Sequence, residues 1–549
     1  MYNRAVTRDA VGAGLVALLA LALYLPGLGT EILRHPLEAK YALVAREMLE
    51  GGPWLVPHVY GEIFPDKPPL YFWAVAGLGW RAGGRIDEVT ARLPAAAAAL
   101  AGVLAVWALG RALFSARVGL LAGAALATSN LYFWYARQGH MDQFLTAFVA
   151  LACLGLWRRF EAGTARAAAA WAAVAYAAMA LGVLSKGLIG LAVPLLAGAG
   201  YLAATGPLRR VPARLGLAPG LPVFLLVVLA WFGPAVAEYG AGYFYEAAIR
   251  QHFARYARTW SHAGPWYYYF GEFPVGFLPW VLFLPGALVL AWRARAQDGP
   301  APGQQPVLFP LAWFVTGFVF FSLSSGKRGP YLLPIYPAAA LLIGWLWDRA
   351  LGNPRRSPWV GVPLGAVCGV AVALAGVVLL VPHRFVPGHR IDTLLPVDPR
   401  ALAGTVALLV AGATLVWLLG RRGHAAATFG TLVVVQVGLL LAVASVRAVR
   451  YESDFPVRAF AARVRAAVPP GEPVYSLFET YNNVVAFYLG RPLRPLSGAD
   501  ALAEVRRHGQ PIFVLVGPGG APDGEPALPL AQATLERRHL LTLVRLEPR

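Results

Sequence analysis

Residues 35–73 read HPLEAKYALVAREMLEGGPWLVPHVYGEIFPDKPPLYFW, the centre of a polar and aromatic island, Glu31 to Trp80, between two hydrophobic segments. In its first half Leu37, Tyr41, Val44 and Met48 recur at helical spacing, with Glu38, Lys40, Arg46 and Glu47 off that stripe. The pattern predicts an amphipathic helix lying in a membrane interface rather than crossing it. In the second half Asp66 and Lys67 precede Pro68 and Pro69. A residue before proline is pushed out of the helical region, so the two charges should sit on a rigid, extended turn. The aromatic run LYFW that follows suits the headgroup level.

Outward from the island the chain is hydrophobic. Of its 549 residues 58% are hydrophobic and 14% charged, and the mean hydropathy is +0.57. Soluble domains carry about 25% charged residues, so a mostly helical, polytopic membrane protein is expected. The net charge of +19 does not point to nucleic acid, because the basic residues sit in short junctions between apolar runs. Cys153 and Cys368 both lie inside such runs, which leaves neither a disulfide framework nor a thiolate metal site. The first apolar run has no small-residue cleavage signal after it and reads as an uncleaved span.

Apolar segments of spanning length, roughly 17–25 residues, fall near 10–29, 92–113, 117–135, 143–158, 168–185, 187–203, 219–238, 271–292, 306–324, 330–349, 359–381, 401–419 and 425–446. These predict about thirteen transmembrane helices. Alternate junctions are basic: Arg111 and Arg117; Arg158, Arg159 and Arg166; Arg209, Arg210 and Arg214; Arg293 and Arg295; Arg349, Arg355 and Arg356; Arg421 and Arg422. By the positive-inside rule these face the cytoplasm. The other side receives the island, RQGHMD, SKG, the 239–270 loop, SSGKRGP, the 382–400 loop and the C-terminus. Residues 1–450 therefore read as a membrane domain, with 31–80 as its first external loop. Residues 451–549 read as a small extracytoplasmic α/β domain. In it FPVRAFAARVRAAV forms an amphipathic helix and PVYSLF, PIFVLVG and HLLTLVRLEP form strands. GPGGAPDGEP is a loop, and no Lys-Ser/Thr follows to make it a phosphate-binding one.

The polar residues that invite chemistry all fall on the external side. They are Glu38, Lys40, Asp66, Lys67, Arg137, His140, Asp142, Lys186, His252, Arg255, Arg258, His262, Lys327, Arg328 and Tyr331. Ionisable groups at the mouths of spans default to function, yet each has a plainer reading. Glu38 suits a solvated charge, and Asp66–Lys67 suits a surface pair of about 0–1 kcal/mol. Asp142 also complements a helix N-terminus, and Lys186 can snorkel to the interface. The aromatics after His262 suit an interface belt. The histidines are not spaced as a zinc site. Together, cations beside an apolar groove suit an anionic lipid head, and a nearby carboxylate suits deprotonation of a hydroxyl. That combination describes group transfer from a phospholipid-linked donor.

LEAKYALVAREMLEGGPWLVPHVYGEIFPDKPPLYFW resembles the first external loop of bacterial GT-C glycosyltransferases of the protein O-mannosyltransferase superfamily, the lipid A aminoarabinose transferase branch above all. RQGHMDQFLTAF, LSKGLIGLAVP, the HFARYA…H…PWYYY loop and SGKRGPYLLPIYPA follow in the same order. The resemblance covers roughly residues 10–350. It implies a GT-C fold and transfer of a sugar from undecaprenyl phosphate, with inversion, at the periplasmic face of a bacterial inner membrane. The acceptor would be lipid A or another envelope glycoconjugate, and no metal or cofactor is required. It implies catalytic roles for Glu38, Asp66 and Asp142, and contact with the donor phosphate from Lys67 and Tyr331. Lys186 and His262 take further places in that cavity, and Arg137, Lys327 and Arg328 are nearby cations. The first acid of the family's Asp-Glu pair is Leu37 here. Either Glu38 assumes its role, or the acceptor needs little deprotonation, as a phosphate would, or the chain is a divergent or inactive relative. Rival readings are a protein-hydroxyl acceptor, a metal-dependent oligosaccharide transferase and a lipid or sugar transporter.

Overall fold

The computed structural model describes residues 2–254, 256, 262–297, 305–352, 358–380, 399–478, 481–507, 510–517, 528–535 and 539–547. Helix α1 (Tyr2–Tyr24) leads into the island, where α2 (Pro36–Leu49), the hairpin β1–β2 (His58–Val59, Glu62–Ile63) and α3 (Leu70–Arg81) follow. The bundle continues through α4 (Glu88–Leu113), α5 (Ala116–Ala127), α6 (Asn130–Ala136), α7 (Asp142–Glu161), α8 (Ala165–Lys186), α9 (Ile189–Thr205), α10 (Val211–Leu215) and α11 (Leu217–Phe244). Next come α12 (Tyr268–Gly276), α13 (Leu284–Gln297), α14 (Leu308–Leu323), α15 (Tyr336–Gly352), α16 (Pro358–Leu380), α17 (Pro399–Arg421) and α18 (Ala425–Asp454).

Caps fix many of these ends. Asp87 and Thr90 form a capping box on α4, and Ser115 and Thr164 accept the backbone N–H three residues on in α5 and α8. All thirteen predicted segments fall on helix. Among the described residues seven helices are long and apolar enough to cross a membrane, or eight if the bent pair formed by α12 and residues 280–294 is one span. Two predicted spans are broken. Segment 117–135 divides into α5 and α6 at Thr128, whose freed carbonyl accepts from Gln436 Nε2 (3.2 Å) while its hydroxyl accepts from Trp280 Nε1 (3.0 Å). Irregular backbone at that depth needs such internal partners. Segment 271–292 bends by 113°.

Past α18 the chain forms α19 (Val457–Ala467), β3 (Val474–Ser476), α20 (Asn482–Leu489), β4 (Leu493–Pro495), α21 (Ala499–Arg506), β5 (Ile512–Val516), β6 (Leu528–Leu535) and β7 (His539–Leu546). The sheet order is β4-β3-β5-β7-β6, parallel across its first three strands and antiparallel thereafter. Strands β4 and β6 and helices α20 and α21 are additions to the sequence reading. Helix α18 also runs past the expected boundary at 450. The GPGGAPDGEP loop and the 382–400 loop lie almost wholly outside the described residues.

The amphipathic helix predicted from the island forms, but it does not lie bare on a membrane surface. Glu38, Ala39, Tyr41 to Ala45 and Met48 are all buried. Tyr41, Val44 and Met48 share one apolar cluster with Phe460, Val485, Phe487 and Leu543 of the C-terminal region. Polar contacts follow the same seam. Tyr488 accepts the Leu33 N–H (2.8 Å) and donates to Glu88 (2.8 Å), Arg46 donates to the Phe487 carbonyl (2.9 Å), and Tyr60 donates to Asn483 (2.9 Å). The stripe seen in the sequence is the part of this burial that periodicity exposes; the alanines between complete it.

The other side of α2 is fixed to the bundle by one ion pair. Arg92 of α4 donates Nε to Glu38 Oε1 (2.8 Å) and Nη2 to Oε2 (3.2 Å). Its remaining N–H groups reach the carbonyls of Leu28 (2.7 Å), Glu31 (2.5 Å) and Ile32 (2.9 Å). Both side chains are 3% exposed. Glu38 Oε1 also accepts the Gly139 N–H (2.7 Å). Burial pushes the Glu38 pKa up, but Arg92 and the Gly139 N–H outweigh it and hold the carboxyl below its ordinary value.

Removing one partner of a buried pair costs about 3–5 kcal/mol, so Arg92→Met should lower the thermal midpoint of the purified protein clearly. The double variant Glu38→Met/Arg92→Met should stay destabilised, because three carbonyls and one N–H lose their partners. Recovery of wild-type stability in the double variant would show that the pair does not organise the loop. Glu38 titrates low when folded, so its contribution is complete above its ordinary value of 4.5 and fades as pH falls below it. The stability gap between wild type and Glu38→Gln should therefore close on acidification.

Candidate active site

The Asp66-Lys67-Pro68-Pro69 turn places Lys67 on the wall of an open groove. Pro68 and Pro69 are buried and Asp66 and Lys67 half-buried. The turn is held by Lys67 Nζ on the Asp66 carbonyl (3.0 Å) and by Gln251 Nε2 on Asp66 Oδ1 (3.0 Å). Lys186 closes α8, where Gly187 takes a φ of 92°, and Asp142 opens α7. A cation at a helix C-terminus and an acid at an N-terminus are each favoured, and here they form an ion pair with each other. Lys186 Nζ also stands 5.0 Å from the centre of the Tyr331 ring. Lys67, Lys186, Gln251 and Tyr331 line a single cavity of about 440 Å³ whose other walls are mainly Leu188, Ile189, Leu191, Leu195, Phe320 and Phe321. It is an apolar trough with two ammonium groups on it.

Beside the Asp142–Lys186 pair lies an aromatic knot. The His140 ring packs against His35 (5.3 Å), Tyr41 (5.5 Å) and Tyr135 (5.5 Å). Burial, with His35 and Arg328 adding and Asp142 opposing, holds the His140 pKa at about 4. The imidazole is thus neutral near pH 7, and its Nε2 has no hydrogen-bond partner among the described residues. Burial also raises the Tyr41 hydroxyl pKa, with Asp142 and Asp66 adding and Arg328 opposing. Tyr41 therefore stands within electrostatic reach of all three. The Lys40 ammonium, 4.3 Å from the Phe64 ring, is lowered by burial against the pull of Asp66.

Several expected site residues sit elsewhere. Glu38 belongs to the Arg92 pair, where three N–H donors converge on its carboxylate and hold its pKa below the ordinary value. Lys327 is 4% exposed, and its ammonium donates to the carbonyls of Phe321 (3.0 Å), Ser322 (2.7 Å) and Ser324. An ammonium has three donors, so none remains for a phosphate. Arg137 donates to the Leu23 carbonyl (3.0 Å) and stacks over Phe133 (5.3 Å), tying the end of α1. His262 is exposed, with a φ of 58°, and its carbonyl accepts the Lys327 N–H (2.8 Å). Arg255, Arg258 and the side chain of His252 lie outside the described residues. No group of three His, Cys, Asp or Glu side chains comes together to hold a metal ion among the described residues.

Sequence reasoning passed over Arg92, His35, Tyr41 and Gln251. Arg92 carried a usable signal, since an arginine at the mouth of a span satisfies the same criterion that singled out Asp142. Tyr41 was read only as part of an apolar stripe. Gln251 carried no signal, because an amide in a long loop is unremarkable until the fold sets it against Asp66.

Residues 66–233 match the family model described as dolichyl-phosphate-mannose-protein mannosyltransferase. An undecaprenyl phosphate-alpha-4-amino-4-deoxy-L-arabinose arabinosyl transferase from Edwardsiella ictaluri is 28% identical over 397 residues, 71% of this chain and 69% of that one. A protein of the same name from Pseudomonas fluorescens is 33% identical over 357 residues, 64% of this chain and 62% of its own. The crystal structure of ArnT from Cupriavidus metallidurans bound to undecaprenyl phosphate superposes with a TM-score of 0.80 at 24% identity, covering 96% of this chain and 97% of that one. The chain thus shares the fold of the Cupriavidus protein, and along about two thirds of its length it is similar to transferases of the Edwardsiella and Pseudomonas type.

Proposed function

We propose that this enzyme transfers a sugar, aminoarabinose or a close relative, from undecaprenyl phosphate to a phosphate of lipid A or a similar envelope glycolipid. The reaction inverts the anomeric centre, needs no metal or cofactor, and takes place at the periplasmic face of the inner membrane. The observation that carries the reading is the 440 Å³ trough, apolar along its walls and bearing Lys67, Lys186 and Tyr331. Apolar walls suit a polyprenyl chain, and the ammonium groups suit its phosphate. The names of the relatives from Edwardsiella and Pseudomonas, and the lipid bound in the Cupriavidus structure, support the same donor.

In the displacement an acceptor phosphate oxygen attacks the anomeric carbon while the bond from that carbon to the lipid phosphate oxygen breaks. The electron pair leaves with undecaprenyl phosphate, where negative charge grows. Lys67 and Lys186 stabilise that charge as it develops, and Asp142 holds Lys186 in place. No proton need move, because a phosphate acceptor is already ionised. A hydroxyl acceptor would require a free base, whereas Glu38 is bound by Arg92, Asp142 by Lys186 and Asp66 by Gln251. The site geometry therefore favours the phosphate. The transferase names of the relatives weigh against the transporter reading.

The test is mass spectrometry of lipid A from cells with and without the protein; an unchanged spectrum, with a new adduct on protein instead, would overturn the acceptor. Lys67→Ala should lower transfer by about 10²–10³, the loss typical of one donor to developing charge, with its gel-filtration profile unchanged. Glu38→Gln, assayed where it stays folded, should keep the wild-type pH–rate profile. Loss of an acidic limb in that variant would restore Glu38 as the base. Transfer should persist in EDTA, and its abolition with rescue by a divalent cation would return the metal-dependent reading.

A further inference from the structure

A second cavity, of about 530 Å³, lies where α15, α16 and α17 meet the α17–α18 turn. The α15–α16 and α17–α18 junctions are both among the basic ones, so this cavity opens at the opposite face from the catalytic loops. Its walls include Trp347, Val362, Leu364 and Trp417, and among the described residues none that line it is acidic. Val362 is 73% exposed and Trp417 44%. Arg421 stands over the Trp417 ring at 5.8 Å, and Arg422 and His424 follow it, exposed, in the same turn. Gly361 forms part of the floor, and a Cβ there would meet nothing within 4 Å.

We propose that this cavity binds one anionic glycerophospholipid of the leaflet on the arginine-bearing side. Its acyl chains would lie in the tryptophan-walled slot and its phosphate against Arg421 and the turn behind it. Basic pockets between spans on this side are the type of site that takes anionic lipid heads, and the apolar walls reject a free phosphate. The surrounding helices explain what such a lipid does. Only 22%, 22% and 28% of the residues along the spans of α16, α17 and α18 are buried, against 94% for the span ending in α15. Three peripheral helices thus meet the body along little protein surface. A lipid seated between α15 and α16–α17 adds apolar contact where the protein itself makes little, and the donor trough is untouched.

The experiment uses the full-length protein purified in a neutral detergent. Phosphatidylglycerol and phosphatidylcholine of identical acyl chains are titrated in, with retention read by native mass spectrometry and stability by thermal unfolding. Phosphatidylglycerol should be retained roughly tenfold more strongly and should raise the thermal midpoint. Arg421→Gln, a change at an exposed position, should lower that retention roughly fivefold. Gly361→Trp should fill the slot and abolish both the retention and the thermal shift, with each variant eluting as wild type in gel filtration. Equal retention of the two lipids, or undiminished phosphatidylglycerol binding in either variant, would overturn the assignment.

Discussion

The fold of the catalytic side depends on one buried charge pair. An arginine inside the first long span would be intolerable alone, and Glu38 with three carbonyls uses every N–H it has. The result is a fixed hinge between the bundle and a loop that would otherwise lie free in the interface. Residues 28–32 are gathered onto the guanidinium, α2 starts at a defined place, and Tyr41 and His35 are carried to the edge of His140. Gly139 joins the same carboxylate, so the first loop and the RQGHMD junction are placed relative to each other by one side chain.

Around that hinge the positive charges divide by what surrounds them. Lys327 and Arg137 are tied to backbone carbonyls and hold loops and helix ends in shape. Lys186 is oriented by Asp142, and Lys67 stands on a turn stiffened by two prolines with Gln251 behind it. Cations of the first kind stabilise architecture, whereas those of the second line an apolar trough where a lipid phosphate can meet them. The difference is one of partners rather than of residue type, so composition alone cannot make it.

Much of this was legible in the sequence. Apolar lengths gave the helices, and the KPP turn gave Lys67. The sequence also pointed to Lys186 and Tyr331, which the fold brings to one trough, and to Asp142, which pairs with Lys186 there. What it withheld was pairing. Glu38 looked like a surface charge or a base because its partner lies in another helix, and Lys327 looked available because three backbone carbonyls leave no mark in a residue pattern. The broken span at Thr128 was hidden for the same reason: Gln436, which accommodates the break, lies 308 residues away.

The seam between the first loop and the C-terminal sheet bears on how the molecule is made. Leu33 and Tyr488, joined by a hydrogen bond, are separated by 455 residues. At roughly 5–20 residues per second, the ribosome needs on the order of half a minute to a minute and a half to travel between them. During that interval Tyr41, Val44, Met48 and Phe64 have no sheet to cover them and must be sheltered by lipid or a holding factor. The first loop is therefore completed only when the residues of the C-terminal sheet have been made, and a nascent chain stalled before those strands lacks a finished first loop.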